Sequence, residues 1–227
     1  MKKIILICLS AFFLTTNLAN AQESGNELKQ HTFITFDGLT FLNPVHPRIR
    51  IGVAQDITKN VKVSMDVGFG TENMTTLRDI YLGYTQSRDY SLFELRGQVY
   101  YHFAPEGRIN QYVGLEVYNV KHSETLYDEY YYDQDLDADV DFDRADFKRV
   151  KTGAQLRYGF FTSPNSRIGV NIYGGIGFRL KESTFDNVVN PQAYSPGSGY
   201  DVFGFGRKKG TSVGMDASIG LKLFFRL

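Results

Sequence analysis

Apolar and polar residues alternate along most of this chain, and the period is two. In VKVSMDVGFG, Val61, Val63, Met65, Val67 and Phe69 fall on one side of an extended strand, with Lys62, Ser64, Asp66, Gly68 and Gly70 on the other. RIRIGVAQDI sets Ile49, Ile51, Val53 and Ile57 against Arg48, Arg50, Gly52, Ala54 and Asp56. In SLFELRGQVYYHF, Phe93, Leu95, Val99, Tyr101 and Phe103 oppose Glu94, Arg96, Gln98, Tyr100 and His102. The closing stretch from Ser212 to Arg226 does the same, with Val213, Met215, Ala217, Ile219, Leu221, Leu223 and Phe225 on one face. The alternation predicts eight strands, over 31–41, 48–57, 61–70, 90–103, 111–124, 148–161, 168–183 and 212–226. The first of these, HTFITFDGLTF, alternates poorly, and a rival count replaces it with 79–86, DIYLGYTQ. Either count is even.

Periodicity does not say which face meets the core. A soluble sandwich or a lipocalin-like periplasmic ligand-binding barrel turns its apolar face inward, whereas a membrane barrel turns it outward and fills its lumen with charge. Glycine separates the two: Gly52, Gly68, Gly114, Gly153, Gly177 and Gly220 all stand on the polar faces. A solvated surface has little use for them there, while a narrow lumen must alternate Gly with Arg, Glu and Tyr to be filled without clashes. The fold class expected is therefore all-β, an eight-stranded antiparallel up-and-down transmembrane β-barrel. Connections at 58–60, 104–110 and 162–167 are short and carry turn residues, whereas 71–88, 126–147 and 185–210 are long. Short periplasmic turns and long extracellular loops give that asymmetry.

Export is written at the amino terminus. Lys2 and Lys3, the apolar run from Ile4 to Leu14 and the small residues Ala19-Asn20-Ala21 make a secretory signal peptide over 1–21, followed by a leader over 22–30 and the barrel domain over 31–227. No stretch reaches the roughly 20 apolar residues of a spanning helix. The lone Cys8 lies within the signal and residue 22 is Gln, so neither disulfides nor a lipid-modified amino terminus are expected. Without Lys2 and Lys3 the 25 basic and 25 acidic residues become a slight acidic excess, which argues against a nucleic-acid binder. Aromatics make up 15% of the chain with no Trp, so Tyr and Phe must supply any interfacial girdle.

With these features the chain resembles the small outer-membrane β-barrel proteins of Gram-negative bacteria, especially the outer membrane protein beta-barrel domain family of unknown function. GLTFLNPVHPRIRIGVAQDITKNVKVSMDVGFG, ELRGQVYYHFAPEGRINQYVGLEVY, KTGAQLRYGFFTSPNSRIGVNIYGGIGF and the closing strand carry the likeness, over nearly the whole mature chain. The resemblance implies an integral place in the outer membrane, with outer-membrane lipid and lipopolysaccharide as surroundings, and it implies no activity. The last strand is similar to the signal read by the barrel-insertion machinery during assembly, with Ser218, Gly220, Leu223 and Phe225 at the polar, glycine, apolar and aromatic positions; it runs two residues past Phe225. A monomer is expected.

Candidates for chemistry are few. Asp133 to Asp143 places carboxylates at alternate positions, and Asp135, Asp137, Asp139 and Asp146 are the calcium-ligand candidates. The calcium-loop template fails because Val140 stands where a sharp turn needs Gly, so a solvated loop or an extended hairpin above the membrane is the preferred reading. Tyr127, Tyr130, Tyr131 and Tyr132 beside it read as an upper interfacial belt. Arg207, Lys208 and Lys209 are positioned to meet lipopolysaccharide phosphates or the acidic segment. Inward charges, from Arg50, Asp56, Lys62, Asp66, Glu94 and Arg96 to Glu116, Arg157, Arg179, Asp216 and Lys222, read as a salt-bridge plug rather than a pore. His122, Ser123 and Glu124 form the one trio that suggests a lipid-A-modifying enzyme, but adjacent strand residues point to opposite faces. His31, His46 and His102 show no metal-ligand spacing. No catalytic residue and no cofactor is assigned, and the expected role is non-enzymatic: envelope integrity, surface adhesion or recognition through the extracellular loops.

Overall fold

A computed structural model describes residues 31–43, 46–75, 87–103, 109–133, 135–162, 166–193 and 207–227. The proposed signal peptide, the leader and the rival strand at 79–86 lie outside the described residues. Nine strands are present among them: β1 (Thr32–Asp37), β2 (Ile49–Asp56), β3 (Val61–Thr71), β4 (Ser87–His102), β5 (Ile109–Asp133), β6 (Ala138–Thr162), β7 (Ile168–Val189), β8 (Gln192–Ala193) and β9 (Lys208–Arg226). No helix among the described residues is long and apolar enough to cross a membrane.

Eight of the nine strands close a ring. Each of β1 to β5 pairs antiparallel with its successor, β6 continues to β7, β7 to β9, and β9 returns to β1 through Phe33↔Arg226 to Phe36↔Leu223. The poorly alternating first segment is thus a strand, shortened at its upper end where Leu39–Leu42 forms a 3-10 turn.

The expectation of eight purely antiparallel strands needs correction in two places. The two-residue β8 adds to the far end of β6 through Val140↔Ala193, and β5 touches β9 in parallel at Tyr132↔Lys208 and Asp133↔Lys209. Both contacts arise because β5 and β6 do not stop near residues 124 and 148 but continue as one hairpin to a turn at 135–137. Two residues are too few for a period to show, so β8 left no trace in the pattern.

The apolar face looks outward around the ring. Phe69, Leu115, Leu156, Ile176 and Ile219 are more than half exposed, while Glu94 and Glu116 are fully buried and Asp66, Arg157 and Lys222 nearly so. A soluble domain does the reverse, because burying apolar surface is what stabilises it in water. The interior is stacked in tiers. An aromatic floor of Phe33, Tyr100, Tyr112, Phe161, Tyr173 and Phe224 comes first, then the ionic middle, then a second apolar cluster at the far end of the hairpin built from Leu126, Tyr131, Phe142, Phe147 and Phe185.

The acidic segment belongs to that hairpin. Asp128 adopts φ 48°, a left-handed conformation that Asp tolerates, and beyond it the buried positions on β5 change phase so that Tyr131 and Asp133 face inward. Tyr131 accordingly stacks on Phe185 with centroids 4.1 Å apart, which corrects its assignment to an interfacial belt.

Candidate functional site

Among the described residues chemistry concentrates in the ionic tier, which is built by strand alternation. Each strand that presents an apolar residue outward must present the next residue inward, so β2, β3, β4, β5, β6 and β9 deliver Arg50, Asp66, Glu94 and Arg96, Glu116, Arg157, and Asp216 and Lys222 to one space.

These charges are paired. Glu94 accepts from Arg48 and Arg96, and Arg96 also meets Glu116, which lies 2.7 Å from Arg157 Nη2. Arg50 Nη2 is 2.5 Å from Asp37, Lys222 Nζ 2.5 Å from Asp66, and Lys62 Nζ 2.7 Å from Asp56. Asp216 receives both Lys151 and Arg179 at 3.0 Å. Every inward charge named from the sequence has an opposite partner, although Asp56 and Arg179 lie toward the edges and remain partly exposed.

Alternation does not reveal all of this set: the weak alternation of the first strand hides Asp37 and a connection carries His46, whereas Arg149 and Lys151 share the polar face of their strand with Gln155 and Arg157. His46 lies in the connection between β1 and β2, yet its ring stands 5.2 Å from that of His122, and its Nε2 lies 2.8 Å from Arg149 Nη1. Burial, and after it the Arg149 guanidinium, holds the His46 imidazole well below its ordinary value, so this part of the interior gains no further charge from it at neutral pH.

Cations outnumber carboxylates here. Arg48, Arg50, Arg96, Arg149, Lys151, Arg157 and Arg179 share the space with Asp37, Glu94, Glu116 and Asp216. A cavity of about 370 Å³ opens among them. Arg50 and Arg157 are among the residues that line it, each already ion-paired, Arg50 with Asp37 and Arg157 with Glu116.

The other candidates are not assembled into sites. Asp135 and Asp137 sit in the hairpin turn, Asp139 follows on β6, and Asp146 lies seven residues further along, about 23 Å at strand rise. Extended backbone separates these calcium-ligand candidates, and no group of three or more His, Cys, Asp or Glu among the described residues is placed to hold a metal. Asp137 instead accepts from the Tyr132 hydroxyl, and Asp146 from Asn187. His122 and Glu124 both face inward, 3.7 Å apart, whereas Ser123 is on the opposite face, paired across the ladder with Ser91. His102 is buried against Asn110 at 2.8 Å, and His31 packs edge-on to Phe33. The basic trio meets the acidic hairpin: Arg207 lies 3.0 Å from Glu129, Lys209 2.8 Å from Asp133, and Lys208 over the Tyr132 ring.

Comparison with known proteins adds little to this geometry. The chain matches no family model and no curated protein, so the resemblance to the outer membrane protein beta-barrel domain family has no such match behind it. Among solved structures it is similar to a major outer membrane protein from Thermus thermophilus, at 14% identity, with 87% of this chain and 99% of that chain covered and a TM-score of 0.42. That likeness is too distant to carry fold or function from one chain to the other.

Proposed function

We propose that this chain is an integral outer-membrane β-barrel with a non-enzymatic role, in which the closed ring anchors and displays the segments that project beyond it for envelope integrity, adhesion or recognition. The observation that carries this reading is the outward apolar belt around an ionic interior. On β3 the belt runs from Val61 to Phe69 and on β5 from Ile109 to Val117, close to the roughly 9 to 11 residues with which a tilted strand crosses a bilayer.

The belt has edges of the right chemistry. Thr71, Ser91, Ser123, Lys148 and Thr184 follow one another across five strands in register and form an outward polar row above it. Phe69 and Phe93 pack at 5.5 Å near that edge, and Tyr101, Phe103 and Tyr158 are half exposed toward the other. Paired aromatic rims of this kind sit at membrane interfaces.

The competing readings lack support of this weight. A soluble ligand-binding barrel would have an apolar interior, and here the middle tier is ionic. A lipid-A-modifying enzyme using His122 with Ser123 would need both on one face, and the wall of the ring separates them.

The test is a gel. An outer-membrane fraction carrying the full chain should release it only into detergent, and the unboiled band should migrate differently from the boiled one. Extraction by salt or alkali alone would refute the reading.

A further inference from the structure

Among the described residues, the wall of the ring is incomplete beside β9. Along one edge this strand pairs with β7 from Gly210 to Phe225. On its other side it meets β1 only from Leu223 to Arg226, and the tip of β5 at Lys208 and Lys209. Between those contacts no strand among the described residues lies against it, because β1 ends at Asp37 and gives way to the Leu39–Leu42 turn. The 370 Å³ cavity runs through this opening: Leu39, Leu42 and Ile219 line its outer mouth, and Arg50, Lys151 and Arg157 its inner end.

Polarity changes sign along that path. The mouth is apolar and exposed, with Ile219 at 89% and Leu42 at 60%, and it is continuous with the belt. The inner end carries an excess of positive charge, with Arg48, Arg50, Arg96, Lys151 and Arg157 lining the cavity beside Asp37 and Asp216. An anionic oxygen brought among these cations would accept charge-assisted hydrogen bonds. The occupant that matches both ends is an amphiphile with an anionic head.

We infer that the opening between β9 and the Leu39–Leu42 turn is a lateral port, through which an anionic phospholipid of the surrounding bilayer places its phosphate group among Arg50, Lys151 and Arg157. Its acyl chains stay outside, against Leu39, Leu42 and Ile219. The cavity holds a headgroup and is too small for the chains. This inference rests on the membrane reading above.

The test uses the full folded chain in maltoside micelles, with native mass spectrometry counting retained lipid. Dioleoyl-phosphatidylglycerol, dioleoyl-phosphatidylcholine and inorganic phosphate are titrated in parallel, and the boiling-dependent gel shift is run on every sample. The expected result is retention of one phosphatidylglycerol about tenfold tighter than phosphatidylcholine, the size of one charge-assisted contact. Lys151→Gln should reduce that preference, and so should Leu42→Glu, which sets a negative charge at the exposed mouth without touching the ionic tier. Lys148→Gln, on the outward face of the same strand as Lys151, should leave it unchanged. A normal gel shift with equal retention of the two lipids, or with unaltered preference in both variants, overturns the port and leaves the membrane reading standing. Inorganic phosphate binding as tightly as the lipid overturns the lateral route. A missing gel shift in the wild type overturns the membrane reading and the port together.

Discussion

Lys222 on the closing strand and Asp66 on β3 meet at 2.5 Å across the middle of the ring, each almost wholly buried. They are 156 residues apart in sequence, and Asp66 also accepts from Thr35 and Gln98. The pair ties the last strand to β3, with which it shares no backbone ladder.

Removing one partner leaves an unpaired buried charge. Lys222→Met or Asp66→Asn should each lower unfolding stability by about 3 to 5 kcal/mol, whereas the double replacement Asp66→Leu with Lys222→Met should recover most of the loss. Urea unfolding in micelles, followed by the gel shift, measures this. Single variants as stable as wild type would mean that the interior is wet and the pair screened.

Leu156 tests the belt. It stands outward between Leu115 and Ile176 in neighbouring strands, and it is 62% exposed. In a bilayer Leu156→Arg should cost about 2 to 4 kcal/mol. In a soluble protein the same change would be neutral and would raise solubility, so one variant assayed in lipid vesicles separates the two. Loss of less than about 0.5 kcal/mol in vesicles, the range of ordinary surface changes, would count against membrane residence.

Most of the strand faces are legible in the sequence because most ring strands alternate an apolar with a polar side, whereas the poorly alternating first strand leaves 79–86 as a rival to it. Val63, Leu95, Ile172 and Leu221 point outward, and Arg96 and Arg157 inward, as charge and glycine placement indicated. What alternation cannot carry is a change of phase. Asp128 and the irregularity between Arg144 and Asp146 shift the buried positions within the hairpin, so its acidic residues looked like one ligand row and its tyrosines like a belt. The side opening was equally hidden. It depends on where β1 stops relative to β9, a tertiary quantity, and His46 reaches His122 through a connection rather than a strand.

Glycine on the inner face is a steric requirement at Gly177. A Cβ there would fall 1.9 Å from the Ala154 carbonyl oxygen and 2.7 Å from the Gln155 Cα, both backbone, whereas at the outward Gly174 its nearest neighbour would be the Ser218 carbonyl at 3.8 Å. Gly177→Ala should therefore force β6 and β7 apart and cost about 1 to 3 kcal/mol, while Gly174→Ala should be neutral. Refolding yield from urea into micelles gives the comparison. Equal yields would place the β6 to β7 spacing wider than the structure has it.

The hairpin is held over the ring partly by charge, and its hold should depend on pH. The hydrogen bond from Lys209 keeps the Asp133 carboxyl below the ordinary carboxylate value, and the same contact raises the Lys209 ammonium. A depressed carboxyl stabilises the docked state above its unfolded value of about 3.9 and loses that contribution as pH falls through the lower folded value. A raised ammonium stabilises below its unfolded value of about 10.4 and loses it as pH rises past the higher folded one. Docking is thus flat through neutrality and weakens at both extremes. The Tyr132 amide reports on it directly, since it donates to the Arg207 carbonyl at 2.9 Å in the same junction. After correction for intrinsic exchange rates, its protection should fall below about pH 4. Asp133→Asn should lower protection at neutral pH and flatten the acid limb, and the separate contact of Arg207 with Glu129 at 3.0 Å would carry whatever response remains. Wild-type protection that stays level into strong acid would mean that the Tyr131 and Phe185 stack alone holds the hairpin down.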